Sequence, residues 1–216
     1  MSQRVFVTGG TGYIGSRLIP ILAQRGHEVI ALVRPGSERR LPGTACRPVL
    51  GDALDGASYL QHLRVGDTFI QLVGVAHPSP AKAKEFVAID QRSGMEAILA
   101  AKRAGVGHFI YVSVAHPAPA MHAYIAARSA CEAELHASGL NATILRPWYV
   151  LGPGHRWPYA LIPFYWLAER IPRTREGARR LGLVTVEQML KALARAADRP
   201  PAGVEVMDVS AIRAAE

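Results

Sequence analysis

The stretch "RVFVTGGTGYIG", residues 4–15, joins a short apolar run to three glycines spaced three residues apart. The run is β-branched and almost free of polar side chains, which is typical of a strand buried on both faces. In such a turn Gly9 allows the tight bend, Gly12 allows a pyrophosphate to approach the backbone, and Gly15 allows the next helix to pack closely. The N–H groups at the start of that helix would bind the phosphates. The alternative is a tight turn without a ligand.

The rest of the chain continues the same alternation of strands and helices. Apolar residues at helical spacing follow the glycines as far as Gly26, and Pro20 is expected to bend that helix or to lie near its first turns. The sequence predicts further strands in 27–34, 46–52, 67–76, 108–115, 141–147 and 203–210, and helices in 55–63, 81–104, 123–135 and after a capping box of Thr185 and Gln188. This order predicts an α/β fold with a doubly wound parallel sheet and helices on both faces. We expect a single domain over 1–216 with a reduced C-terminal lobe at 148–183.

The length and composition of the chain exclude several classes of protein. With 216 residues, half of them hydrophobic and 19% charged, the chain is long enough for one packed domain and is unlike a disordered chain. It has no apolar run of about 18 residues or more, so a spanning helix is not expected. The opening "MSQRVFVTGG" has no signal-peptide pattern, and Cys46 and Cys131 fit buried thiols in a reducing compartment. We expect a cytoplasmic protein without a metal site.

The chain is basic, with a formal charge of +8 and a pI of about 9.9. This favours an anionic partner such as a phosphorylated cofactor or an acidic membrane surface, unless it reflects an arginine-rich composition alone. The arginines near the C-terminus form a local cluster rather than a stripe with stacking aromatics, so no nucleic acid is expected. The aromatic stretch 155–172 is expected to form the core of the lobe; alternatively, 157–180 contacts a membrane surface. Such a lobe suits a small apolar substrate.

The glycine spacing belongs to a longer pattern. Together with "GD" at 51–52, Ser113 at the end of a strand, the helix that carries Tyr124, and "ILRPWYVLGPG" at 144–154, it resembles the extended and atypical branches of the short-chain dehydrogenase/reductase superfamily. The resemblance implies an NAD(P)-binding Rossmann fold. It also implies that Asp52 accepts a hydrogen bond from the adenine amino group and that 72–74 line the adenine ribose. The cofactor-binding candidates on this basis are Gly9, Thr11, Gly12, Tyr13, Ile14, Gly15, Arg34, Asp52, Leu72, Gly74, Arg128 and Pro147.

The residue at the end of the second strand indicates whether the cofactor is NAD or NADP(H). An NAD-binding protein usually has an acidic residue there, which accepts a hydrogen bond from the ribose 2′-hydroxyl. This strand ends "ALVRPG", with Arg34 and no acid. A guanidinium pairs well with a 2′-phosphate, and Arg39 and Arg40 could add charge, although Arg34 could also be a solvated loop residue. We therefore expect NADP(H) rather than NAD.

In the superfamily a serine and a Tyr-x-x-x-Lys helix perform the proton chemistry, and the resemblance implies Ser113, Tyr124 and Arg128 as catalytic candidates. About one Tyr-x-x-x-base pair arises by chance in a chain with 7 Tyr and 25 basic residues. Tyr13–Arg17, at the start of the first helix, is interpreted as that chance pair. Arg128 keeps a positive charge but cannot lose a proton, and Glu132 could draw it away from the ribose. The site is either a modified working site or one retained for cofactor binding.

Two histidines share nearly the same text, "VGVAHPSPA" at 73–81 and "VSVAHPAPA" at 112–120. Both follow strands that should be neighbours, which would place His77 and His116 at the carboxyl edge of the sheet. They are interpreted as loop residues, and His116 is also an alternative proton donor beside the nicotinamide.

Two hypotheses follow. The first is an NADPH-dependent reductase of a small apolar carbonyl, flavin or quinone-like acceptor, in which Tyr124 or His116 donates the proton. The second is a non-catalytic NADP(H)-binding regulatory or accessory protein that acts through a protein partner or a membrane surface. A homodimer through the long helices is implied only by the habit of the superfamily.

Overall fold

The computed structural model describes residues 2–154, 170–171 and 175–215. The strands are β1 Arg4–Thr8, β2 Glu28–Val33, β3 Arg47–Leu50, β4 Thr68–Gln71, β5 His108–Val112, β6 Ala142–Leu145, β7 Tyr149–Leu151, β8 Leu183–Thr185 and β9 Val204–Met207. Seven of them form one sheet in the order β3-β2-β1-β4-β5-β6-β9, and all neighbouring pairs are parallel. β7 and β8 form a separate parallel pair. The predicted doubly wound parallel sheet is confirmed.

Helices cover both faces of the sheet. They are α1 Gly15–Gln24, α2 Ala83–Glu85, α3 Arg92–Ala104, α4 His122–Ser138, α5 Arg175–Arg180, α6 Val186–Asp198 and α7 Val209–Arg213, and a π-helical segment, Phe86–Gln91, joins α2 to α3. One apolar cluster contains buried residues of α1, α6 and α7, and a second contains those of α3 and α4. The described part of the chain contains no helix that is long and apolar enough to cross a membrane.

β1 shows why its sequence is a continuous apolar run. Val5 and Val7 belong to the cluster on one face of the sheet, and Phe6 belongs to the cluster on the other. Because both faces are covered, the three central side chains of the strand, Val5, Phe6 and Val7, are all apolar. Phe6 pairs in register with Phe69 of β4, which stacks on Phe109 of β5 with ring centroids 5.1 Å apart.

The predicted strands are present, but those in 67–76 and 203–210 are shorter than predicted, since β4 ends at Gln71, β9 ends at Met207 and Val209 begins α7. The helix predicted in 55–63 is instead two 3-10 turns, Gly56–Ser58 and Leu60–His62. The N–H of Gly56 donates to the carboxylate of Glu96, in α3, at 3.0 Å, so a contact between distant parts of the chain holds the start of this segment. The capping box of Thr185 and Gln188 is present at the start of α6. The aromatic residues 155–169 lie outside the described residues.

His108 gives the fold a dependence on pH. Its ring is buried on β5, where Nε2 lies 2.9 Å from the Thr143 hydroxyl, and burial lowers its pKa from 6.5 to about 4. The unfolded chain therefore takes up this proton near pH 6.5 and the folded chain only near pH 4. Stability is fully present above pH 6.5 and falls as the pH drops through this window. We expect a loss of about 2 kcal/mol between pH 7 and pH 5 from this residue.

The pH dependence is measured by urea unfolding of the unmodified protein and two variants. His108→Gln should flatten the profile between pH 7 and pH 5. His136→Gln, at an exposed position on α4, should not. Parallel profiles for the protein and His108→Gln would contradict this assignment.

Candidate functional site

The glycine loop has the geometry of a phosphate cradle. Gly9 has φ +70°, and a Cβ atom there would lie 2.8 Å from the backbone carbon of Leu72. A Cβ at Gly15 would lie 2.3 Å from the Gly9 carbonyl oxygen, so both positions require glycine. Gly12 is exposed, and its N–H donates to Gly9 O at 2.9 Å, which tightens the turn. The loop leads directly into the N-terminus of α1, where backbone N–H groups favour an anion.

The remaining cofactor-binding candidates lie along the same edge of the sheet. Arg34 follows β2, is exposed, and has no ion-pair partner among the residues that the structure describes. Asp52 follows β3, and its carboxylate accepts a hydrogen bond from Leu54 N at 2.9 Å. Leu72 and Gly74 follow β4, beside the glycine loop. Because β1 to β4 are parallel neighbours, their carboxyl ends lie along one edge of the sheet, and in open α/β sheets dinucleotides bind in the crevice beyond that edge.

Pro147 lies past the end of β6. It is buried, and its carbonyl accepts a hydrogen bond from Ala115 N at 2.9 Å. The segments that leave β5 and β6 therefore stay together beyond the sheet, on the side of the crevice away from β3.

Tyr124 lies in the first turn of α4 and is half-buried. Its ring is tilted against Phe86, with centroids 4.9 Å apart. The guanidinium carbon of Arg128 is 5.2 Å from the centre of the tyrosine ring. The two residues of the Tyr-x-x-x-Arg pair therefore contact each other, and a positive charge lies next to the phenol.

Arg128 is held inside the protein by a partner that sequence reasoning missed. Its side chain is buried, Nη1 donates to Val112 O at 2.8 Å, and Nη2 donates to Oδ1 of Asp90. The pKa of Asp90 is raised by its burial, and Arg128 and the N–H of Val75 oppose that rise. The expected pairing of Arg128 with Glu132 is wrong, because Asp90, in the π-helical segment, takes the guanidinium instead.

Gly74 makes room for this arginine. A Cβ atom at position 74 would lie 2.2 Å from Nη2 of Arg128. The guanidinium of Arg128 thus packs against the backbone of Gly74, just after β4, in the segment predicted to line the adenine ribose. A side chain at position 74 would therefore displace the guanidinium of Arg128.

Ser113 and Glu132 form a second buried polar group. Ser113 is 2% exposed, and its hydroxyl donates to Oε1 of Glu132. Arg146 donates to both oxygens of the same carboxylate, from Nε at 3.1 Å and from Nη2. Burial raises the pKa of Glu132, but the hydrogen bonds from Arg146 and Ser113 outweigh it and hold that pKa below its ordinary value. Glu132 therefore stays ionised, and the only hydroxyl hydrogen of Ser113 is committed to it.

The two candidate histidines have different surroundings, and the Tyr13–Arg17 pair has contacts of its own. His77 is exposed with φ +50°, whereas Nε2 of His116 lies 3.4 Å from Oε2 of Glu132. Arg17 lies over the ring of Tyr13 at 4.2 Å, and a Cβ atom at Gly152 would meet the Tyr13 hydroxyl at 2.2 Å. That pair joins the glycine loop to the segment after β7. Across the described residues, no three His, Cys, Asp or Glu side chains are grouped to hold a metal ion.

The parallel sheet, the glycine loop at the end of β1 and the crevice beside it define a dinucleotide-binding α/β protein. Residues 9–156 match the family model described as NAD(P)H-binding, and the chain belongs to that family. Its structural neighbours are NAD-dependent epimerases and dehydratases, so the resemblance to the extended short-chain dehydrogenase/reductases is confirmed.

Three relatives illustrate the match. The ceramide reductase of Caulobacter vibrioides is 29% identical over 151 residues, which is 69% of this chain and 47% of that protein, so the match spans about half of that relative. The UDP-glucose 4-epimerase of Klebsiella pneumoniae is 33% identical over 126 residues, 52% of this chain and 90% of that protein. The structure of the Bordetella bronchiseptica enzyme WbmH with NAD⁺ superposes with a TM-score of 0.70 and 25% identity, covering 96% of this chain and 76% of that one.

Proposed function

We propose that the protein binds NADP(H) along the carboxyl ends of β1, β2 and β4 and reduces a small apolar carbonyl, flavin or quinone-like acceptor. The observation that carries the cofactor preference is Arg34, an exposed guanidinium at the end of β2 where an NAD-binding protein usually has an acid. Its planar donors suit a 2′-phosphate, and Arg39 and Arg40 are also exposed nearby.

The reductase proposal rests on Tyr124. When bound, NADPH supplies a hydride to the acceptor carbon. The hydroxyl of Tyr124 donates its proton to the oxygen that gains the electron pair. Arg128, 5.2 Å from the ring centroid, has the sign of charge that stabilises the phenolate left behind. Similarity to a protein named ceramide reductase supports reduction of an apolar substrate.

The second candidate is a cofactor-binding protein without turnover. The observation that favours it is that both partners expected to assist Tyr124 are occupied, Ser113 by Glu132 and Arg128 by Asp90. In that case the 157–180 segment would contact a protein partner or an acidic membrane surface.

Replacing Tyr124 with phenylalanine separates the two candidates. The experiment follows NADPH oxidation with phenanthrenequinone, menadione, nitrobenzaldehyde and FMN as acceptors. We expect Tyr124→Phe to lower kcat by roughly 100-fold or more while the NADPH dissociation constant stays unchanged, because a positioned acid contributes at least this much. His122→Gln, at an exposed position two residues earlier, is the control and should retain activity.

The outcomes are distinct. Equal kcat values for Tyr124→Phe and the unmodified protein would remove the tyrosine from the reaction. NADPH binding without turnover of any acceptor would favour the accessory function instead.

A further inference from the structure

The donor expected at the end of β5 is not available to a ligand. Ser113 is 2% exposed, and it donates its one hydroxyl hydrogen to Glu132. A serine in this state can accept a hydrogen bond but cannot donate one to the oxygen of an acceptor. The role that the family resemblance assigned to Ser113 therefore needs another side chain.

His116 is the first polar side chain beyond Ser113 along the chain, and it is half-buried. The two residues between them, Val114 and Ala115, are each 2% exposed, whereas the His116 ring is 23% exposed. Its Nε2 atom lies 3.4 Å from Oε2 of Glu132. The ring thus has one nitrogen turned to a buried carboxylate while part of its surface faces solvent.

The carboxylate that faces His116 is itself fixed. Glu132 is 4% exposed and accepts hydrogen bonds from Ser113 and twice from Arg146. A buried, ionised carboxylate that is held on several sides can fix the orientation and the proton of a histidine ring. Glu132 therefore acts on His116 as an orienting residue.

The backbone around His116 is held from two sides. Ala115 N donates to Pro147 O at 2.9 Å, and Nε of Arg180, in α5, donates to Pro117 O at 3.2 Å. The histidine therefore lies between the segment that follows β6 and the C-terminal lobe. Since β5 and β6 are parallel to β1 and β4, this place lies at the same carboxyl edge of the sheet as the glycine loop.

We propose that His116, oriented by Glu132, binds the oxygen of the acceptor group through its Nδ1–H in the role expected of Ser113. The inference rests on the proposed reductase function and narrows its substrate class to compounds with a carbonyl or quinone oxygen. In the form that carries a hydrogen on both ring nitrogens, Nε2–H is directed at Glu132 and Nδ1–H is a second donor. A charge-assisted hydrogen bond from that nitrogen stabilises the oxygen as it gains negative charge.

The kinetic test compares two histidines that occur in the same local sequence. We expect His116→Leu to lower kcat/KM for phenanthrenequinone roughly 10- to 100-fold, with no change in the NADPH dissociation constant. His77→Leu is the matched control at an exposed position. Its kcat/KM for phenanthrenequinone should stay within about twofold of that of the unmodified protein. Equal effects of the two substitutions would overturn the proposal.

A spectroscopic test does not depend on turnover. In ¹⁵N-histidine-labelled protein loaded with NADP⁺, phenanthrenequinone should shift the Nδ1 resonance of His116 more than that of His77. Glu132→Gln should abolish this response, since the ring loses the charge that orients it. If the Nδ1 resonance of His116 in the unmodified protein does not respond to phenanthrenequinone, the proposal is overturned. This outcome does not require His116→Leu or Glu132→Gln to fold.

The two proposals fail in different ways. If phenanthrenequinone shifts the His116 resonance but NADPH is not oxidised, the result supports the histidine site and contradicts the proposed reductase function. Turnover that is unchanged in His116→Leu would support the reductase and contradict the histidine site.

Discussion

Replacing Asp90 with alanine is expected to lower the free energy of unfolding by about 3–5 kcal/mol, because the substitution leaves the Arg128 guanidinium buried without its counter-ion. Asp90 is fully buried and Arg128 is 5% exposed, so the guanidinium has little contact with bulk solvent. The loss is measured by urea unfolding at pH 7. The N–H of Val75, which donates to the same carboxylate at 3.0 Å, also loses its acceptor.

Two further variants test the cause. Glu187→Ala removes an exposed carboxylate from an i,i+4 pair with Lys191 and should cost less than about 0.5 kcal/mol. Asp90→Asn combined with Arg128→Met removes both charges and should recover more than half of the loss. A loss for Asp90→Ala no larger than that for Glu187→Ala would show that the pair does not hold α4 against the π-helical segment.

Arg34→Glu is expected to raise the dissociation constant for NADPH roughly 100-fold while leaving that for NADH unchanged or lower. The substitution replaces a bidentate donor with a carboxylate that repels the 2′-phosphate and can accept from a 2′-hydroxyl. The measurement is a fluorescence titration with each nucleotide at two ionic strengths. Because Arg34 is exposed, its contribution should shrink as salt is added.

The control for this variant is Arg47→Glu. Arg47 is also exposed but begins β3, at the opposite end of the strands from the crevice. The same change of charge there should alter NADPH affinity less than about threefold, through long-range electrostatics alone. If both substitutions weakened NADPH equally, net charge rather than a 2′-phosphate contact would explain the preference.

Patterns within short segments predicted most of the fold. The central residues of β1, Val5, Phe6 and Val7, form a continuous apolar run because helices cover both faces of the sheet, and the glycine loop follows directly from close backbone contacts at Gly9 and Gly15. The segment 55–63 was predicted wrongly as a helix because the contact of Gly56 with α3 is not visible in local sequence.

The charges of the site depend on contacts between distant parts of the chain. Arg128 and Asp90 are 38 residues apart, and the i,i+4 spacing pointed instead to Glu132. Glu132 is taken by Arg146 because the segment after β6 brings a bidentate guanidinium to it. His77 and His116 have nearly the same flanking sequence, yet His77 is exposed whereas His116 is half-buried beside the Glu132 carboxylate of α4. The helix packing that decides each case has no short-range signal.

The central claim is that the crevice beside the glycine loop binds NADP(H). The most direct measurement is a titration of the unmodified protein with NADPH and, separately, with NADH, followed by the fluorescence of its three tryptophans. We predict saturable binding of NADPH with a dissociation constant at least roughly tenfold below that of NADH, a difference that one charge-assisted contact to the 2′-phosphate can supply. Saturable binding of neither nucleotide, or tighter binding of NADH, would contradict the account.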